Sequence, residues 1–360
     1  MAVPLGVEER VALALQLVAR IERREKVLPS TGVPREFLRK GRTVVAAGLA
    51  EGASELVPPS VRDGLRPEAP GVDRLSAPVG VDVLALAKFD LGSQLKLRAH
   101  YVPSRLTLAV GPVPRGRDAP DGILNAVRAH EVVTTHAPGL CPALVTHGTL
   151  GRQVRYLVEE WLDGAPVLTS EGLAGAVPDI VTGLAAVHRG HGLELEPATR
   201  RWGEGLVGRW ASVRATGLLP GTVGDRVAGL IAQDRAVRVS WTHGDLVASN
   251  VLRTAEGQVV LVDWEHSGPG GIALDAAKLH LFSARPEETL DLVLDGWGRD
   301  AGPTAYSMEE ELVLAHGLLL SRYPARRADL EGHPRAAVYE RQVRRQVERL
   351  QQVLDRCDQG

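Results

Sequence analysis

Hydrophobic positions along the first stretch of the chain fall at helical intervals. Val11, Leu13, Leu15, Leu17, Val18 and Ile21 alternate with Arg20, Arg23 and Arg24 in a pattern that predicts an amphipathic helix over residues 7–27. Residues 29–78 are rich in Pro, Gly and charge, with one short element expected around residues 43–49. Residues 1–80 therefore read as an N-terminal extension. From Val81 the period changes to two. "VDVLALAKF", "SQLKLRAHYV" and "RLTLAV" are strand candidates, separated by turn residues at Asp90–Gly92 and Pro103–Ser104. A helix, "DGILNAVRAHEVVTTHAPG", ends at Pro138–Gly139, and the strands "ALVTHG" and "VRYLVEEWL" follow. Residues 81–162 thus predict a small sheet carrying one helix. Residues 163–360 predict a mostly helical domain, closed by "YERQVRRQVERLQQVLDRC" with Val343, Val347, Leu350 and Leu354 on one face.

Within the helical half, "WTHGDLVASNVLRTAEGQVVLVDWEHSGPG" breaks the pattern. Asp245 and Asn250 stand five residues apart on a loop entering the short strand "NVL". Asp263 closes the apolar strand "VVLVD", and "TAEGQ" between the strands reads as a hairpin turn. The strands supply a rigid scaffold and the polar groups crown their ends. An amide oxygen and a carboxylate are hard donors suited to Mg²⁺, which takes one or two carboxylates with phosphate and water. Asp245, on the preceding loop, would orient an acceptor hydroxyl and take its proton. Glu265 and His266, beside Asp263, read as loop packing or support.

These residues resemble the signature of the aminoglycoside phosphotransferases and their relatives, a branch of the protein-kinase-like fold. The resemblance implies an α+β, bilobal fold with a small β-rich N-lobe (81–162, nucleotide binding) and a larger helical C-lobe (163–360, catalysis and acceptor binding). It implies Asp245 as catalytic base, Asn250 and Asp263 as Mg²⁺ ligands, and His243 as a brace of the catalytic loop. "GPGGIALDAAKL" is similar to the family's stretch ending in a helical aspartate, here Asp275, which braces the same loop. "YLVEEWLDGAPV" looks like the interlobe connector, so the backbones of Glu160, Trp161 and Leu162 are expected at the base of ATP or GTP. "GLAAVHRG" resembles the family's helix ending in Leu-His, with Val187 replacing the leucine. Glu131 stands where the family's helix glutamate is expected.

One part departs from the family. The third strand carries Ala109 where its phosphate-holding lysine would stand, and "KFDLGSQ" holds a single glycine in place of a glycine-rich cradle. Lysine is scarce, with Lys26, Lys40, Lys88, Lys96 and Lys278 the whole set against abundant arginine, a bias of high-GC bacterial sequences. Strand alternation puts Lys96 and Arg98 on one polar face of the second strand, and either would serve the phosphates, as a point charge or a bidentate grip.

Composition narrows the partners. A net charge of −2 argues against a nucleic-acid binder, and no apolar run is long enough to span a membrane. The two cysteines, Cys141 and Cys357, lack metal or disulfide spacing, which fits a reducing cytoplasm. The expected reaction is transfer of a γ-phosphoryl from ATP or GTP to a hydroxyl of a small molecule, such as an antibiotic or other natural product. Glu309, Glu310, Glu311, Asp291 and Asp295 read first as a solvated helix face and second as carboxylates for a cationic acceptor, which the family's antibiotic kinases often select. A kinase of Ser or Thr hydroxyls in a precursor peptide, with the extension aiding binding, stays open at this point. So does a non-catalytic, kinase-shaped binding protein, for which the missing lysine speaks.

Overall fold

The computed structural model describes residues 42–46, 83–89, 95–101, 106–114, 121–150, 154–162, 164–331 and 336–358. The helix expected over residues 7–27 and the single-glycine turn at 90–94 lie outside them. The chain forms two compact units, Met1–Pro166 with Leu252–His266, and Val167–Val251 with Ser267–Gly360. The first is strand-rich and the second mostly helical, an α+β organisation. The boundary falls four residues beyond the expected 162/163 division, and the hairpin carrying Asp263 groups with the strand-rich unit.

The first unit is built on an antiparallel sheet of order β1-β2-β3-β4-β6-β5, formed by Arg42–Ala46, Val83–Phe89, Leu95–Tyr101, Leu106–Pro112, Val154–Glu160 (β6) and Leu144–Leu150 (β5). β1 comes from the stretch assigned to the extension, where "RTVVA" pairs with β2 from Arg42↔Lys88 to Ala46↔Leu84. Helix α1, Gly122–His136, is started by Asp121, whose side chain accepts from the Leu124 N–H at 3.0 Å. Its buried positions Ala126, Val127, Ala129, His130 and Val133 form a stripe at helical spacing. Strands β10 (Val251–Thr254) and β11 (Val259–Leu261) form the expected hairpin, turned at Gly257 with φ of 84°. A third strand, β7 (Gly164–Pro166), joins β10, with Leu252 opposite Pro166.

In the second unit, strands β8 (Glu194–Pro197), β9 (Ala236–Thr242) and β12 (Gly268–Gly271) make a small sheet with β9 central. Strand β9 is buried over most of its length, as "VRVSWT" requires when helices cover it. Helix α2, Ser170–His191, is capped by Thr169 and buries Leu173, Val177, Ile180, Leu184 and Val187. Helices α3 (Ala198–Trp202), α4 (Leu206–Ala215), α5 (Gly221–Gln233), α6 (Ala273–Phe282), α7 (Pro286–Trp297), α8 (Met308–Leu320), α9 (Tyr323–Asp329) and α10 (Ala336–Cys357) complete it. α10 docks by Val343, Leu350, Val353 and Leu354, with Val347 half-buried. No helix among the described residues is long and apolar enough to cross a membrane.

Three buried histidines sit in this helical core. Burial pushes His188 down to about 4 and His280 down to about 3, and holds His316 well below the ordinary value. All three are therefore neutral in the folded protein at neutral pH. A depressed histidine contributes stability in full above its unfolded value near 6.5, and loses it as pH falls toward its folded value. By pH 5 the loss is about 2 kcal/mol for each of His188 and His280. Glu311, which burial raises to about 7 against the pull of Arg238, shifts the other way, as do Asp275, raised by burial, and His130, raised to about 10, and they oppose it. Between pH 7 and pH 5 the parent protein should lose more Tm than a His188→Gln variant, which lacks one of these titrations. An equal or smaller loss in the parent would contradict this reading.

Candidate active site

Strand β9 delivers the loop His243–Gly244–Asp245 at its C-terminal end. The turn needs Gly244 in the left-handed region, with φ of 76°. Two consecutive backbone N–H groups, of His243 and Gly244, donate to the Asp275 carboxylate at 2.6 and 3.0 Å. Asp275, on the first turn of α6, is fully buried, and burial raises its pKa against the pull of His243, Lys278 and the two N–H groups. His243 is itself wholly buried, and its Nδ1 accepts from the Asp245 N–H at 3.3 Å. Both residues thus hold the loop by its backbone, as a brace would.

The Asp245 side chain is held from two sides. Lys278 Nζ donates to Asp245 Oδ1 at 2.9 Å and to the Gly244 carbonyl at 2.7 Å. Asn250 Nδ2 donates to the Asp245 carbonyl at 2.8 Å and lies 3.4 Å from Oδ2. Asn250 ends the 3-10 turn Ala248–Asn250 and is buried. With its NH₂ committed to Asp245, its Oδ1 accepts from the Ser249 hydroxyl at 3.4 Å and has a second lone pair as a hard oxygen donor. Lys278 was not foreseen as a site residue. It lies one helical turn after Asp275, so the helix that braces the loop also carries an ammonium to the aspartate.

Asp263 belongs to the first unit. It follows β11 and adopts φ of 68°, a left-handed conformation costing a residue with a Cβ roughly 1–2 kcal/mol. Trp264 closes the turn behind it, donating from Nε1 to the Leu261 carbonyl at 2.8 Å. Glu265 is turned to α1, where Asn125 Nδ2 donates to its carbonyl at 3.3 Å. Asn250 and Asp263 both offer oxygen, the donor chemistry that Mg²⁺ prefers. Among the described residues no three His, Cys, Asp or Glu side chains converge as an all-protein metal cage.

The other expected nucleotide residues are spread over the first unit. Arg98 pairs directly with Ala109, the position that lacks the family's lysine, while Lys96 pairs with Lys88 on the other side. Glu131 lies on the exposed face of α1. Its neighbour His130 is buried and meets Glu159 at 3.0 Å. Burial alone would push His130 down, but the Cys141 thiol and the Glu159 carboxylate outweigh it and raise it to about 10. In the connector, the Glu160 N–H already donates to the Ala143 carbonyl at 2.9 Å, while Trp161 and Leu162 are half-buried and outside any strand.

The acidic residues that could have received a cationic acceptor are engaged elsewhere. Glu309 and Asp295 meet Arg299 at 3.2 and 3.3 Å, Glu310 meets Arg235 at 3.1 Å, and Glu311 meets Arg238 at 2.8 Å in a buried pair. Asp291 is bonded to Arg356. Glu310 also forms a capping box with Ser307 at the start of α8. The "SMEEE" run is therefore a helix start and an ion-pair face.

Residues 105–311 match the profile of the Phosphotransferase enzyme family. No curated protein matches the sequence. Among solved structures, an aminoglycoside phosphotransferase from Alicyclobacillus acidocaldarius is 18% identical, with a TM-score of 0.47 over 76% of this chain and 91% of that one. The choline kinase LicA from Streptococcus pneumoniae is 17% identical, with a TM-score of 0.45 over 71% of this chain and 89% of that one. The macrolide 2'-phosphotransferase MphH from Brachybacterium faecium is 18% identical, with a TM-score of 0.43 over 74% of this chain and 94% of that one.

Proposed function

This chain belongs to the phosphotransferase enzyme family, and we propose that it moves the γ-phosphoryl of ATP or GTP to a hydroxyl of a small molecule. The observation that carries the reading is Asp245. Its carboxylate is fixed by Lys278 and Asn250, and it lines an open cleft of about 200 Å³ within the second unit. In the proposed reaction the acceptor oxygen forms a bond to the γ-phosphorus, and the bond from that phosphorus to the β,γ-bridging oxygen breaks. Asp245 orients the hydroxyl and accepts its proton, and the nucleoside diphosphate leaves.

Asn250 of the second unit and Asp263 of the first are the residues that would offer oxygen to Mg²⁺, and the ion would supply positive charge against the phosphate oxygens. Asp275 and His243 keep the catalytic loop in register. Arg98 or Lys96 provides the positive group for the phosphates, and the pairing of Arg98 with Ala109 favours Arg98. The backbones of Trp161 and Leu162 remain as groups for the nucleobase, since the Glu160 N–H is used within the fold.

The metal assignment has a direct test. Asp263→Ala should raise the Mg²⁺ concentration for half-maximal turnover by at least the roughly 10- to 100-fold that loss of an outer-shell partner costs. A magnesium titration of the variant that superimposes on that of the parent protein would remove Asp263 from the site.

A further inference from the structure

The cleft beside Asp245 has a composition that bears on the acceptor. Leu281 and Phe282 from α6, Leu320 from α8 and Val343 from α10 give it apolar walls. Tyr323 and Tyr339 face it as a stacked pair, with ring centroids 6.2 Å apart and planes 27° from parallel. Among the residues lining it, the charged groups are Asp245 and Lys278, and these are paired with each other at 2.9 Å. The five carboxylates of the neighbouring helices are held by arginines, as described above. Glu340, close by, accepts from the Tyr323 hydroxyl at 3.2 Å and lies 3.5 Å from Arg327 Nε. A polycation entering here would lose water and meet the Lys278 ammonium, with no free carboxylate in the lining to compensate.

Besides the paired Asp245 and Lys278, the polar groups of the lining are the amides of Gln342 and Gln346 and the hydroxyls of Tyr323 and Tyr339. Gln346 is buried, and its side-chain nitrogen bonds to His316 Nδ1. His316 Nε2 in turn meets His280 Nδ1 at 3.0 Å. Both rings are held neutral by burial, so this relay carries no charge. It pins one end of the Gln346 amide and leaves the other for a neutral polar group on a ligand. Gln342, one helical turn earlier on α10, sits at the exposed rim.

We infer that the acceptor is an uncharged, partly apolar alcohol bearing a flat ring, which stacks against Tyr323 and Tyr339 and hydrogen-bonds to Gln346. The inference rests on the phosphotransferase reading for the word acceptor, but the ligand class follows from the cleft itself. It replaces the cationic acceptor that the acidic run suggested.

The test pairs binding with transfer. Uncharged naphthyl and umbelliferyl glycosides are compared with the polycations kanamycin and neomycin. Each is titrated by calorimetry and then incubated with Mg²⁺ and either nucleotide. The aryl glycosides should bind and the polycations should not. Tyr339→Ala should weaken aryl glycoside binding about tenfold, the cost of a lost aromatic contact of roughly 1.4 kcal/mol. Leu319→Asp, which places a carboxylate at a half-buried position of the lining, should reverse the preference toward kanamycin, with circular dichroism checking the fold. Tighter binding of the polycations by the parent protein, no binding of any aryl glycoside, or an affinity unmoved by Tyr339→Ala would each overturn the inference. Nucleotide binding is measured separately without acceptor. If it is absent and nothing is phosphorylated, the phosphotransferase reading fails, while the calorimetric comparison still decides the ligand class.

Discussion

Asp245→Ala lowers turnover by about a hundred- to ten-thousandfold, the span of a lost general base, while the affinity for nucleotide stays within about twofold. The loss is specific because of how the residue is held. Its carboxylate is about two-fifths exposed and is gripped by Lys278 from α6 and Asn250 from the 3-10 turn, so it is poised without being buried. Removing it deletes the group that takes the hydroxyl proton and leaves the loop, which is braced through its backbone. Lys278→Met should cost less, about tenfold, because the base survives in a looser position. Steady-state kinetics with a saturating acceptor, alongside nucleotide titrations, separates the two variants. A turnover for Asp245→Ala within threefold of the parent would remove this residue from the chemistry.

The second large effect falls on stability. Asp275→Ala leaves the backbone N–H groups of His243 and Gly244 without their acceptor in a wholly buried setting. Each such orphan costs about 1–3 kcal/mol, so the variant should lose about 2–5 kcal/mol. For a chain of this size that lowers Tm by several degrees. Turnover should fall as well, because the loop that positions Asp245 loses its brace. Asp275→Asn keeps one side-chain oxygen as acceptor and should recover part of both. Melting curves and kinetics on the pair of variants check this. If Asp275→Ala melted with the parent protein, the carboxylate would not be holding the loop.

Much of this architecture is legible in the chain because local signals and tertiary needs agree. The alternation in β2 to β4, the helical stripe of α1 and the TAEGQ turn each state one structure at every level. Asp245 and Asn250 are likewise visible together as spacing on one loop, while the bracing Asp275 is legible through the family resemblance alone. What stays hidden is whatever depends on partners distant in sequence. Strand β12, "GPGG", has almost no side chains to signal a strand, and it forms because β9 offers a ladder. Its glycines are required there, since a Cβ on Gly270 would stand 2.6 Å from Thr242 Oγ1. Glu131 occupies a familiar position in the helix, yet the helical phase buries His130 and exposes the glutamate. The acidic run at Glu309–Glu311 looks like a binding surface until Arg235, Arg238 and Arg299 are brought to it by other elements. Lys278 shows the opposite error: its place one turn after Asp275 is plain in the sequence, but only the fold gives it Asp245 as a partner.

Phosphate transfer that depends on Asp245 is the step from which the other roles follow. The most direct measurement is mass spectrometry of hydroxyl-bearing compounds, the uncharged aryl glycosides foremost, after incubation with Mg²⁺ and each nucleotide, for the parent protein and Asp245→Ala side by side. The parent protein should add one phosphoryl group to an acceptor, and the variant should add it at least about a hundredfold more slowly. Equal rates from the two proteins, or nucleotide binding with no phosphate transferred to any compound of a broad panel, would contradict it.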